Sequence, residues 1–364
     1  MKEVLDGNMV VQSADTRGIR FLSADDPQLR LEGFPWRKPG EAFRRLPQPT
    51  SARPFTENLN RLADCTAGGQ LCFRSDSRRV VARAKFAAAH RMARMALTGI
   101  MGFDLYVKQC GKWVFRGVTR FAPDADGYCA DLVQFPDRRC REFTLNFPLL
   151  AAVSSFELGV EEDAEVLPPL SWPDARPVVV YGTSIVHGAC ATRPGNCYPA
   201  ALGRLLGRPV LNMGFAGNAR GERFIAETLA EISDPALYIV DYDPNSWPEN
   251  TEETLAEFIC ILRAAHPQTP VLTVSKIPYP TDYPEILGAV PEYMDRMEAI
   301  HRRVVGEIRA AGDKLVNFVE GRILLDAEKF PDFSADGIHL NDAGFLCLAE
   351  RLAPIAAALI ADAK

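Results

Sequence analysis

From Pro177 onward the sequence alternates two patterns that together require a layered α/β domain. The runs PVVVY, PVLNM, ALYIVDY, PVLTVS and KLVNFV are short, rich in Val, Ile and Leu, and lack polar alternation, as expected for parallel strands covered on both faces. Between and after them stand the amphipathic stretches CYPAALGRLL, GERFIAETLAEI, ENTEETLAEFICILRAA, EYMDRMEAIHRRVVGEIRAA and NDAGFLCLAERLAPIAAALIA. Strand and helix in alternation predict a three-layer α/β domain with a parallel sheet. Such folds bind ligands beyond the carboxyl ends of their strands, so the residues just after each run are the ones to examine.

The preceding half reads differently. From Leu71 to Leu158 the segments LCFRS, RRVVARAKFA, FDLYVKQ, KWVFRGVTRF and REFTLNF are separated by Gly, Pro and Asp, the period-two pattern of antiparallel strands in a β-sandwich. The proline-rich stretch VLPPLSWPDARP breaks both helix and ladder. We therefore expect a sandwich domain over residues 1–172 and an α/β domain over 173–364, two domains being the default for 364 residues. The Pro- and Arg-rich EGFPWRKPGEAFRRLPQP is a candidate to lie against the second domain.

A net charge of -6 and a pI near 5.6 leave no electrostatic footprint for nucleic acid. The N-terminus MKEVLDGNMVVQSADTRG lacks the apolar core of a signal peptide, and no run of about 18 apolar residues is evident. The expectation is a cytoplasmic protein with no membrane partner. The 9 cysteines form no C-x-x-C pair and read as buried free thiols. Neither paired cysteines nor a histidine doublet supplies the local spacing of a zinc site.

After the first run comes Gly182-Thr183-Ser184-Ile185, and after the second Asn212-Met213-Gly214-Phe215-Ala216-Gly217-Asn218. The third is followed by Asp241-Tyr242-Asp243-Pro244-Asn245, and the last helix is preceded by Asp336-Gly337-Ile338-His339-Leu340-Asn341-Asp342. A serine hydroxyl needs a base to accept its proton, and that base works best when a carboxylate holds its tautomer. The D-x-x-H spacing supplies both, since three residues let a carboxylate fold back onto the imidazole Nδ1 and leave Nε2 to face a serine from another strand end. Donors for an oxyanion complete the requirement, and Gly217 and Asn245 can provide them.

These blocks, in this order, resemble the SGNH/GDSL hydrolase superfamily over roughly residues 177 to 364. Gly102-Phe103-Asp104-Leu105-Tyr106 and Thr66 to Gly69 extend the resemblance to a subfamily with an N-terminal G-x-D-L-Y sandwich. The resemblance implies a flavodoxin-like parallel sheet preceded by a jelly-roll-like domain. It also implies a serine ester hydrolase acting through an acyl-enzyme. By matching position, Ser184 is the nucleophile and an oxyanion donor through its own N–H, His339 the general base, Asp336 its orienting carboxylate, and Gly217 and Asn245 the remaining donors. The family's G-D-S-L is G-T-S-I here, and its G-x-N-D is replaced by D-Y-D-P-N. No metal or organic cofactor is implied. Short acyl esters, with acetylated carbohydrate foremost, are the implied substrates; lipase, thioesterase, acyltransferase and non-catalytic carbohydrate-binding readings stand as alternatives.

Among the 5 histidines, His187 is the rival to His339, lying three residues after Ser184 but without a neighbouring carboxylate. His266 and His301 read as structural or solvated, and His90 belongs to the sandwich. Asp241 and Asp243 could be the paired carboxylates of a glycosidase, but two residues apart on a strand they point to opposite sides. Phe103, Tyr106, Trp113 and Phe115 read as sandwich core rather than as a sugar platform. The missing G-x-S-x-G argues against an α/β-hydrolase nucleophile elbow.

Overall fold

The computed structural model describes residues 10–11, 13–282, 291–326 and 328–363. Its contacts divide them into two units that interleave along the chain. The first holds the chain up to Arg45 together with Asp64–Ser171 and Arg193–Gly195, and the second holds Leu46–Ala63, Trp172–Thr192 and the chain from Asn196.

Strands β1 (Ile19–Ser23), β2 (Arg30–Glu32), β3 (Gln70–Ser75), β4 (Arg79–Ala89), β5 (Asp104–Gln109), β6 (Lys112–Val118), β7 (Gly127–Gln134), β8 (Arg141–Asn146), β9 (Ala151–Glu161) and β10 (Val166–Leu167) build the first unit. Helix α1 (Glu57–Ala63) lies in the second unit, while the single turn α2 (Leu97–Ile100) lies in the first. The sheets run β1-β9-β4-β7 and β10-β3-β8-β5-β6, with β2 beside β3, and all pairings are antiparallel. Alternation along the strands sends Leu71, Phe73, Val80, Ala82, Leu105, Phe143 and Leu158 into one core, the arrangement of a sandwich.

Phe103 and Tyr106 are buried, whereas Phe115 is 38% exposed and carries the Arg193 guanidinium 3.8 Å above its ring. Asp104, the acid of G-x-D-L-Y, is fully buried and accepts from Asn146 Nδ2 at 2.7 Å, Arg193 at 2.7 Å and the Gly195 N–H at 3.0 Å. That burial explains an acid inside a strand: each carboxylate oxygen has a donor, as a buried charge requires.

In the second unit, β11 (Val178–Gly182), β12 (Val210–Gly214), β13 (Leu237–Asp241), β14 (Val271–Val274) and β15 (Val316–Val319) form a parallel sheet in the order β12-β11-β13-β14-β15. The helices are α3 (Ser184–His187), α4 (Tyr198–Leu206), α5 (Arg223–Leu229), α6 (Pro248–Ala265), α7 (Glu292–Ala310) and α8 (Asp342–Asp362). Helix α4 packs on α8, while α5, α6 and α7 pack in a row, giving two helical layers about the sheet. This is the flavodoxin-like strand order, with β11 at its switch point.

Contrary to the sequence expectation, one helix among the described residues, Asp342–Asp362, is long and apolar enough to cross a membrane by length and composition. Its buried residues Phe345, Leu348, Ala349, Leu352, Ala356 and Ile360 fall at helical spacing on one face, which is how a core helix is covered. No disulfide joins the described cysteines, but only Cys65, Cys72 and Cys197 are buried, and Cys110, Cys140 and Cys260 are exposed. Polar neighbours in the exposed strand turns and on the outer helix face place those three thiols outward, so the expectation of buried thiols holds only in part.

Candidate active site

Ser184 stands at the end of β11 as the first residue of α3. Thr183 caps that turn, its hydroxyl accepting from the Ile185 N–H at 3.3 Å. The preceding Gly182 has to be glycine, because a Cβ there would come within 2.1 Å of the Asp241 carbonyl oxygen on the neighbouring strand. Asn212 ties the next strand to the same turn: its Nδ2 donates to the Val186 carbonyl at 2.8 Å and its Oδ1 accepts from the Gly214 N–H at 2.9 Å.

The D-G-I-H segment folds as a closed turn before α8. The Ala335 N–H donates to the His339 carbonyl at 2.8 Å, Ser334 Oγ accepts from the Gly337 N–H at 2.7 Å, and Gly337 takes the left-handed φ of 92° that glycine adopts at little cost. This turn aims the side chains. Asp336 Oδ1 accepts from the N–H groups of His339 (2.8 Å) and Ile338 (3.0 Å), and Asp336 Oδ2 lies 3.0 Å from His339 Nδ1. His339 Nε2 in turn lies 3.0 Å from Ser184 Oγ. Partial burial pushes the Asp336 carboxyl up, but the hydrogen bonds from the His339 ring and the two N–H groups, with the imidazole's charge, outweigh it and hold the carboxyl below its ordinary value. The carboxylate thus stays ionised where the imidazole works.

The parallel register sets Gly182 beside both Gly214 and Asp241, so the segments carrying Ser184, Gly217 and Asn245 leave the sheet at one edge. Among the described residues, neither the Ser184 nor the Gly217 N–H has a hydrogen-bond partner, and Asn245 Nδ2 is buried without one. Asn218, the other amide nearby, donates to the Ala216 carbonyl at 2.7 Å. A hydroxyl, imidazole and carboxylate in line, with unoccupied donors on neighbouring strand ends, is a constellation suited to acyl transfer.

The family model described as GDSL-like lipase/acylhydrolase matches residues 175–357, half of the chain. The chain belongs to that family. A second model, the N-terminus of SGNH-hydrolase-type esterases named for GxDLY, matches residues 19–166. Among solved structures, a candidate GDSL-like lipase from Bacteroides ovatus is 29% identical with a TM-score of 0.83, covering 94% of this chain and 98% of that one. A salicylyl-acyltransferase from a tetracycline biosynthetic pathway (22%, TM-score 0.73) and a family two carbohydrate esterase from Cellvibrio japonicus (14%, TM-score 0.60) share the fold over the same 94% of this chain and 98% of theirs. No curated protein sequence matches the chain. The protein is therefore a carboxylic ester hydrolase.

In this GDSL-family hydrolase the other titratable residues at the sheet edge have partners of their own. Asp241 accepts from the Tyr198 hydroxyl at 2.9 Å, and burial pushes its carboxyl up to about 8. Asp243 lies 2.9 Å from His301 Nε2, and His301 Nδ1 lies 3.0 Å from Thr273 Oγ1. Both members of that pair are buried, so Asp241 and Asp243 offer no open carboxylate pair for a glycoside. His187 is fully buried, and His266 shares a 2.9 Å contact with the Ala230 carbonyl.

Two features of the site have no signal in the sequence. The His301–Asp243 pair joins residues 58 positions apart. Cys190 packs with its Sγ within 4.8 Å of ligand atoms of Asp336 and His339; nothing in C-A-T-R-P distinguishes that thiol from the others.

Proposed function

We propose that the protein hydrolyses short-chain acyl esters, acetyl esters of carbohydrates foremost, through an acyl-enzyme on Ser184. The observation that carries this reading is the unbroken hydrogen-bonded line from Asp336 through His339 to Ser184. Ser184 Oγ attacks the ester carbonyl while His339 Nε2 takes its proton, and Asp336 stabilises the resulting imidazolium. The negative charge that develops on the carbonyl oxygen is met by the N–H groups of Ser184 and Gly217 and by Asn245 Nδ2. What supports this role is that none of the three donors has another hydrogen-bond partner among the described residues, so no existing bond has to break as charge develops. His339 then returns the proton to the departing alcohol. Water, deprotonated by the same imidazole, attacks the acyl-enzyme and releases the acid and the serine. The carbohydrate esterase among the fold neighbours supports a sugar as the alcohol, and the family supports the ester.

The test is a hydrolysis profile over aryl esters of increasing acyl length beside acetylated sugars, run on the parent and on Ser184→Ala. Activity should be highest at acetyl, and Ser184→Ala should lose several orders of magnitude in kcat while its circular dichroism and melting stay unchanged. Near-native turnover in a folded Ser184→Ala removes the nucleophile assignment; a maximum at long chains removes the acetyl preference.

A further inference from the structure

We infer that Cys190, Asp336 and His339 form a binding site for a thiophilic divalent cation, zinc above all, whose occupancy shuts the hydrolase off. The three side chains come from two segments far apart in sequence, yet a thiol sulfur, a carboxylate oxygen and a ring nitrogen lie within 4.8 Å of one another, all part-exposed. A tetrahedral zinc with bonds of about 2.0–2.3 Å holds neighbouring ligands roughly 3.3–3.6 Å apart, so small side-chain rotations close the set and leave the fourth position to water.

The thiol is held there by structure. Cys190 takes a left-handed φ of 75°, a conformation unfavourable for a residue with a Cβ. Its segment is clamped on both sides. The Ala189 N–H donates to the Ser184 carbonyl at 2.9 Å. Beyond Cys190, the Thr192 N–H donates to Asp342 Oδ1 at 2.9 Å and the Thr192 hydroxyl to Oδ2 at 2.5 Å. Asp342 begins α8, three residues after His339. The turn bearing the thiol is thereby fixed beside the turn bearing the imidazole.

The donor set selects the ion. A thiolate with an imidazole and one carboxylate favours zinc and its neighbours over magnesium or calcium, which prefer all-oxygen sites. Binding deprotonates the Cys190 thiol and releases that proton to solvent. His339 has two ring nitrogens, one facing Asp336 and one facing Ser184, so coordination through either breaks one of the two hydrogen bonds. Inhibition rests on the catalytic reading above; binding does not.

Two measurements separate them. Zinc should inhibit ester hydrolysis reversibly, with chelator restoring the rate and calcium and magnesium without effect. Cys190→Ala in chelator-treated buffer should hydrolyse the ester, yet need at least about tenfold more zinc for half inhibition, since even outer-shell changes cost that much affinity. Cys190→Asn, whose side chain tolerates a left-handed backbone, repeats the measurement should the alanine variant misfold. Binding itself is read with cobalt(II) in Ser184→Ala: a thiolate-to-cobalt charge-transfer band should appear and should vanish in Ser184→Ala/Cys190→Ala. Equal zinc sensitivity in the parent and the Cys190 variants, or a cobalt band that survives loss of Cys190, overturns the inference. A band that depends on Cys190 in an enzyme indifferent to zinc keeps the site and overturns its control of catalysis.

Discussion

Asn245 keeps a buried amide nitrogen without a partner, an arrangement that costs about 1–3 kcal/mol in a resting protein and that the proposed oxyanion role would relieve. Asn245→Ala should therefore lower kcat by roughly 10²- to 10³-fold with little change in KM; an unchanged kcat would show the D-Y-D-P-N turn to be only a loop. Asp336→Asn keeps the shape of the D-G-I-H turn but presents the wrong partner to His339 Nδ1, and steady-state kinetics should show a loss near 10⁴-fold, as the same change causes in serine proteases. Asp241 makes a pH prediction. Burial pushes its folded carboxyl up to about 8 from an ordinary 3.8, so the folded state holds a proton that the unfolded chain gives up earlier. That contribution to stability is complete below about pH 4 and is lost as pH rises through about 8. Asp241→Asn removes the titration, and its unfolding free energy should fall less than the parent's between pH 5 and 9. Parallel curves for the two proteins would show that Asp241 does not titrate in this window.

Helix α7 shows what one element takes from its neighbours. Glu292 and Asp295 in its first turn and Arg309 in its last suit the helix dipole. The buried stripe Met294, Met297, Ile300, Val304 and Val305 is visible in the sequence as a 3.6-residue period. His301 lies on that stripe; the sequence left open whether its ring was structural or solvated, and the structure buries it. It reaches Asp243 after β13 and Thr273 in β14, linking the helix to the turn that ends at Asn245. His301→Ala would strand two buried polar groups, and denaturant unfolding should show a loss of about 2–4 kcal/mol. A loss under about half a kcal/mol would mean that water replaces the ring without cost. The parallel strands, by contrast, were legible as apolar runs because burial on both faces leaves no place for polar alternation.

At the scale of the molecule, the second unit contains Leu46–Ala63, which precedes most of the sandwich in sequence. There Arg53 pairs with Glu231, Phe55 lies 5.8 Å from the Phe224 ring, and Leu59 of α1 is 2% exposed. Leu59→Ala in the full chain should therefore cost about 2–5 kcal/mol, seen as earlier thermal loss of esterase activity; inactivation at the parent temperature would show that α1 contributes no stability to the hydrolase unit. The sequence by itself determined what short-range rules govern. These are the alternation of buried strands and helices, the antiparallel grammar of the first half, and a D-x-x-H turn short enough for a carboxylate to meet the imidazole beside it. Only the tertiary structure decided which amide is left without a partner, that His301 pairs with Asp243, that residues 46–63 join the hydrolase unit, and that Cys190 stands beside Asp336 and His339. Each of these depends on which distant segment fills the space next to a residue, and that is set by packing across the fold rather than by spacing along the chain.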